Sequence, residues 1–279
     1  MGDSCPIHGL VKEVIIMKKL LAVALLLALV SALTLSACAE EGDALSRIRE
    51  RGTLVIATEG NWQPWTYHDE NDVLTGFDVE IGTLLAEGLG VQPEFQETTW
   101  DAILAGVDAG RFDIACNGVG YTETRAEKYS FSTPYVYTEI VLVVRGDNDA
   151  INTVEDLNGR TTANTASSTY AAIGEGYGAT VTPVDDLIQT IMLVEQGRVD
   201  ATINAKGSID DYLSQHPEAN IRIAQILPQG EPVAYPVRKG ADTETLLAAI
   251  NGILEAKRQD GTLSALSEKY FGVDLTKEG

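Results

Sequence analysis

Apolar residues recur along this chain in two alternating rhythms. Nearly unbroken apolar runs at Thr53–Thr58, 112–116 and 140–144 read as buried strands. Between them the period changes. Leu84, Leu85 and Leu89 precede Gly90, and Trp100, Ile103, Leu104 and Val107 fall at helical spacing before Gly110, each set marking one apolar helix face. A helical turn at Ala44–Arg51 stops at Gly52, and Thr153-Val154-Glu155-Asp156 fits a capping box. Residues 186–196, 245–257 and 263–270 read as further helices. The tract 161–170 is rich in hydroxyls and small residues and reads as a loop, able to offer donors to an anion at close range or to serve as an ordinary connection. Residues 235–238 read as a short extended segment, a candidate second crossing between lobes.

One pattern occurs twice. Gly110-Arg111-Phe112-Asp113 is followed by an apolar run and Asn117-Gly118; Gly197-Arg198-Val199-Asp200 is followed by an apolar run and Asn204-Ala205. Each copy follows a helix. The repeat predicts an α/β fold of two similar lobes, each turning a strand-end loop toward a shared cleft, where open α/β proteins bind ligands. The expected lobes are 53–139 with 239–279, and 140–238.

The first copy leads into polar chemistry. Asn117, Gly118 and Gly120 let the backbone approach another molecule, and Thr122 to Arg125 adds hydroxyls and a guanidinium. Arginine presents a planar fork of donors that matches a carboxylate; pairing with Glu123 or Glu127 at the surface is the plainer alternative. Glu59-Gly60-Asn61-Trp62-Gln63-Pro64-Trp65 is a second strand-end loop, with Trp65 expected in the core and Trp62 a candidate for covering an ammonium group.

Charge and processing signals narrow the setting. The 279 residues carry a formal net charge of −21, which argues against a nucleic-acid partner. His8, His68 and His216 are scattered, so neither a metal site nor a cofactor is expected. Lys18 and Lys19 precede an apolar stretch ending in Leu35-Ser36-Ala37-Cys38, which predicts a signal peptide over 1–37 and a tether over 38–52. The Leu-Ser-Ala-Cys end resembles a bacterial lipobox, which implies acylation of Cys38 and a membrane-anchored chain. Cys116 is then the one cysteine of the mature domain, expected as a small core residue.

The motifs Gly76-Phe77-Asp78-Val79-Glu80-Ile81, Trp100-Asp101-Ala102-Ile103-Leu104-Ala105-Gly106, Gly110 to Asp113, Thr122 to Arg125, Phe131 to Tyr135 and Asp260-Gly261-Thr262-Leu263 stand in one order from Arg47 to the end. Together they resemble the bacterial solute-binding proteins of family 3, which serve ABC importers of polar amino acids; the Asn-x-Val-Gly-x-Thr detail is similar to cystine binders. The resemblance implies a two-lobed periplasmic-binding-protein fold of type II, a monomer that meets an ABC permease, and no catalysis. It implies Arg125 on the ligand α-carboxylate, helped by Gly118, Gly120 and Thr122; Trp62 and Trp100 as aromatic walls; Asn117 and Asn204 at the strand ends; and Thr165 and Ser168 from the second lobe. Where the family carries an aspartate for the ligand α-ammonium, this chain has Ala205. Glu59, Asp210 and Glu231 are candidate replacements, unless the ligand lacks a free α-amine. A cyclohexadienyl-dehydratase-like enzyme and a ligand-sensing domain are the alternative functions on this scaffold.

Overall fold

The computed structural model describes residues 42–278. The expected signal peptide and Cys38 lie outside them. Helix α1 (Ala44–Arg51) opens on Asp43, whose side chain accepts the Ser46 N–H, and closes on Gly52 in the left-handed region. Strand β1 (Thr53–Thr58) is followed by a three-stranded hairpin unit, β2 (Asn61–Trp62), β3 (Thr66–His68) and β4 (Leu74–Thr75). Helix α2 (Phe77–Leu89), β5 (Gln92–Glu97), α3 (Trp100–Asp108) and β6 (Ile114–Ala115) complete the first parallel sheet, in the order β5-β1-β6. Helices cover both faces of this sheet, so the centre of β1, Leu54 to Ala57, is apolar on both sides. Leu54 and Ile56 point into one core with Ile81 and Leu85, while Val55 and Ala57 point into another with Trp100, Ile103 and Val107.

Helix α4 (Glu123–Lys128), β7 (Tyr129–Phe131) and β8 (Val136–Thr138) lead to the crossing, and β9 (Ile140–Arg145) enters the second lobe. There β10 (Thr161–Asn164), α5 (Thr169–Gly176), β11 (Thr180–Pro183), α6 (Leu187–Glu195), β12 (Ala201–Ala205), α7 (Lys206–Gln215) and β13 (Ile221–Ile226) build a five-stranded sheet ordered β11-β10-β12-β9-β13. Residues 161–170 are therefore not one loop. Thr161–Asn164 is a strand clamped in parallel between β11 and β12, and Ser168 caps α5. The expected capping box at Thr153 is formed with Asp156.

The return differs from the sequence-based expectation. Leu227 N–H donates to the Ile140 carbonyl at 2.8 Å, β14 (Glu231–Val233) pairs with β8, and β15 (Pro236–Arg238) pairs with β7 inside the first lobe. Tyr235 is buried in the first core, stacked on Tyr135 at 4.2 Å. The chain thus recrosses before β14, beside its first crossing, and residues 235–238 belong with the first lobe. Helices α8 (Glu244–Gln259) and α9 (Thr262–Phe271) finish on that lobe. No helix of the described residues is long and apolar enough to cross a membrane.

Candidate functional site

The repeated motif has the same local wiring in both lobes. Asp113 N–H donates to the Val55 carbonyl at 2.9 Å while its carboxylate accepts the Val55 N–H at 2.7 Å. Asp200 N–H donates to the Thr161 carbonyl at 2.9 Å while its carboxylate accepts the Thr161 N–H at 2.8 Å. Gly110 and Gly197 stand at φ 69° and 65°, where a side chain would be strained. Each aspartate locks its strand to the neighbouring one.

A cavity lies between the strand ends of the two lobes, enclosing about 540 Å³ when its open mouth is included. Of the sequence-predicted residues, Trp62, Trp100, Gly118, Gly120, Arg125, Thr165, Ser168 and Asn204 line it. Arg125 sits on α4, whose N-cap Thr122 accepts the Arg125 N–H. Its Nη1 donates to the Gly120 carbonyl at 2.9 Å, its Nη2 donates across the cleft to the Ser167 carbonyl at 3.2 Å, and its guanidinium lies 5.3 Å from the Trp100 ring centre. These bonds aim the fork and leave further N–H groups for a ligand. Burial lowers the Arg125 pKa from its ordinary value, partly offset by Glu231.

Three predicted residues stand elsewhere. Thr122 is behind Arg125 as its helix cap. Asn117 is fully buried and organises the wall: its Oδ1 accepts the Glu59 N–H at 2.8 Å and its Nδ2 donates to the Glu59 carboxylate at 2.7 Å. Ala205 is fully buried at the start of α7 and is not among the cavity's lining residues. Gly118 lines the cavity, but its N–H is turned inward, donating to Asp78 Oδ2 at 2.5 Å. Asp78 also accepts from Tyr135 at 2.7 Å and Tyr235 at 3.0 Å, while burial pushes its pKa up to about 6. A Cβ at Gly118 would stand 2.7 Å from the Trp62 ring, so only glycine lets that loop meet Trp62.

The acids of the cavity were named in part from the sequence, with Asp186 the one that was missed. Of the acids considered, Glu59 and Glu231 line the cavity, whereas Asp210 pairs with Lys206 on α7. Asp186, the N-cap of α6, joins them. Burial, reinforced by Asp186, pushes the Glu59 pKa up to about 7 against the hydrogen bond from Asn117. Glu231 is 5% exposed and is raised by burial, opposed by the Thr169 hydroxyl and by Arg125. Asn164 contributes a fixed acceptor: its Nδ2 donates to the Ile203 carbonyl at 2.7 Å, which orients the amide, and its buried Oδ1 has no partner among the described residues. One guanidinium thus shares the cavity with three acidic side chains, of which Glu231 acts on it directly. The arrangement fits a ligand with a carboxylate and more than one cationic group.

The lobes also touch. Ser167 Oγ donates to Asp101 at 2.5 Å across the cleft, and Trp62 packs against cores of both lobes.

Comparison with known proteins agrees with this geometry. The model of the bacterial extracellular solute-binding proteins, family 3, matches residues 54–273. A probable amino-acid ABC transporter-binding protein of Haemophilus influenzae is 41% identical over 261 residues, covering 94% of this chain and 100% of that protein. An ancestral arginine-binding protein bound to arginine superposes with a TM-score of 0.74 at 34% identity, over 80% of this chain and 99% of its own. The L-cystine solute receptor of Neisseria gonorrhoeae, in its unliganded open conformation, is 38% identical over 85% of this chain and 100% of its own, with a TM-score of 0.58. The more similar sequence is here the less similar shape, as expected when the lobes of this chain stand closed.

Proposed function

Since the chain belongs to the bacterial extracellular solute-binding proteins of family 3, we propose that it is the receptor of an ABC importer for a polar amino acid carrying an additional ammonium group, with cystine the leading candidate. In this reading the protein is exported, acylated at Cys38, and acts as a monomer that closes on its ligand and presents it to the permease. Arg125 holds the α-carboxylate. Glu231 and Glu59 replace the counter-charge missing at Ala205, Asp186 adds to the same field, and Trp62 and Trp100 wall the site. The observation that supports this most is the Arg125 fork aimed into a cavity whose other charges are carboxylates. A buried ammonium left unpaired costs several kcal/mol, so acids at this place favour a cationic ligand group.

The test is a thermal-shift comparison of L-cystine and L-arginine with their α-carboxamides. Ligands that bind only the folded state stabilise it, by about 2.7 kcal/mol at a hundredfold excess over Kd, and so raise the midpoint. At least one free acid should raise it and its amide should not. Equal shifts from acid and amide would rule out the carboxylate assignment.

A further inference from the structure

Asn61 and Leu187 are shared walls. Besides the cavity around Arg125 they line a second compartment, of about 740 Å³, set between the β2–β4 hairpin unit of the first lobe and α7 of the second. Tyr67 and His68 form one side of it; Ser208, Asp211 and Gln215 form the other. Ser208 is fully buried, and its Oγ has no hydrogen-bond partner among the described residues. A buried hydroxyl without a partner costs about 1–3 kcal/mol, so this wall favours a polar occupant. Asp211 lines the same space with its carboxylate steadied by Gln215 Nε2 at 2.7 Å, and burial raises its pKa. Tyr67 of the first lobe and Asp211 of the second line this one space, which sets Asp211 at the gap between the lobes.

We propose that this compartment is a distal subsite for the ammonium-bearing far end of an elongated, two-ended ligand that passes between Asn61 and Leu187 while its near carboxylate rests on Arg125. Asp211 supplies the counter-charge at that end and Ser208 Oγ a hydrogen bond. The inference deepens the amino-acid reading and rests on it. It also gives the hairpin unit a task, because Asn61 and Tyr67 pair with each other within it and so link the two compartments through one rigid element.

The test uses the full-length chain and two probes: L-cystine, and S-methylthio-L-cysteine, which keeps the disulfide but lacks the second amino-acid end. Asp211→Asn should weaken cystine about tenfold or more by calorimetric titration, and Ser208→Ala about threefold, each leaving the truncated probe within about twofold. Cystine affinity unchanged in both variants, equal losses for both probes, or a wild-type protein that binds the truncated probe as tightly as cystine would each overturn the distal subsite and leave the amino-acid reading standing. A wild-type protein that binds neither probe but is stabilised by L-arginine overturns the distal subsite alone, and one that binds none of the three overturns both.

Discussion

The two lobes reach the cleft by the same construction and present different chemistry there. Asp113 and Asp200 make matching pairs of bonds to β1 and β10, and Gly110 and Gly197 make the same left-handed turn. From that common frame the first lobe delivers Glu59, Trp100 and the Gly118–Arg125 turn, whereas the second delivers Thr165, Asp186, Leu187 and Asn204. The frame is a folding solution and is repeated; the strand ends are free to differ and carry recognition. All of the positive charge in the cavity comes from the first lobe, so that lobe orients the ligand. That lobe also carries Glu59 and Glu231, and the second lobe adds acceptors and Asp186 to their field when the cleft closes.

The comparison can be broken first at its frame. Asp113→Asn and Asp200→Asn should each lower stability by about 1–3 kcal/mol, because each turns an accepting carboxylate oxygen away from a strand N–H or replaces it with a donor. Urea unfolding of both variants reads this directly. A loss at one aspartate with none at the other would mean that the repeated motif does not do the same work twice. The Asp113 loss should be the larger if Arg51, which also bonds its carboxylate, adds to the lock.

A smaller effect tests the division of charge. Burial holds folded Glu59 at about 7, above its ordinary value of 4.5. The folded chain therefore binds this proton more tightly than the unfolded one, so the stability owed to this group is greatest at low pH and declines as pH rises toward 7. A ligand ammonium beside Glu59 reverses the preference and expels the proton. Binding of L-cystine near pH 6.5, about half a unit below that pKa, should release a fraction of one proton, seen as a binding heat that changes with the buffer's ionisation enthalpy. Glu59→Gln should abolish the release. A release that survives the substitution would assign it to another group.

Much of the fold was legible because its signals are local. The apolar runs of β1 and β9, the face formed by Trp100, Ile103 and Val107, and the Gly-Arg-x-Asp repeat each depend on residues close in sequence. Arg125 was legible for the same reason, since its cap Thr122 and its partner Gly120 lie within one short turn. The return crossing was not. Residues 235–238 are extended in either lobe, and only the pairing of β15 with β7 and the stacking of Tyr235 on Tyr135 decide between them. Thr161–Asn164 resembled a loop because its residues are small and hydroxylated, yet flanking parallel strands fix them. Glu231 was legible as a candidate counter-charge without a place, and Asp186 only as the first residue of a helix. The gathering of Glu59, Glu231 and Asp186 around one cavity with Arg125 is a property of the folded chain, which no sequence window contains. Gly118 shows the opposite limit: the motif located it, but Asp78 had already claimed its N–H.

The most direct test of the central claim is calorimetric titration of Arg125→Ala with L-cystine and L-arginine beside the wild-type chain, with the unfolding midpoint of both proteins measured without ligand. Removing one partner of a buried charged contact should cost binding about a hundredfold or more, while the ligand-free midpoint changes little. Affinity for every ligand that binds the wild-type chain staying within a few-fold would contradict the account, because the carboxylate would then be held by something other than Arg125.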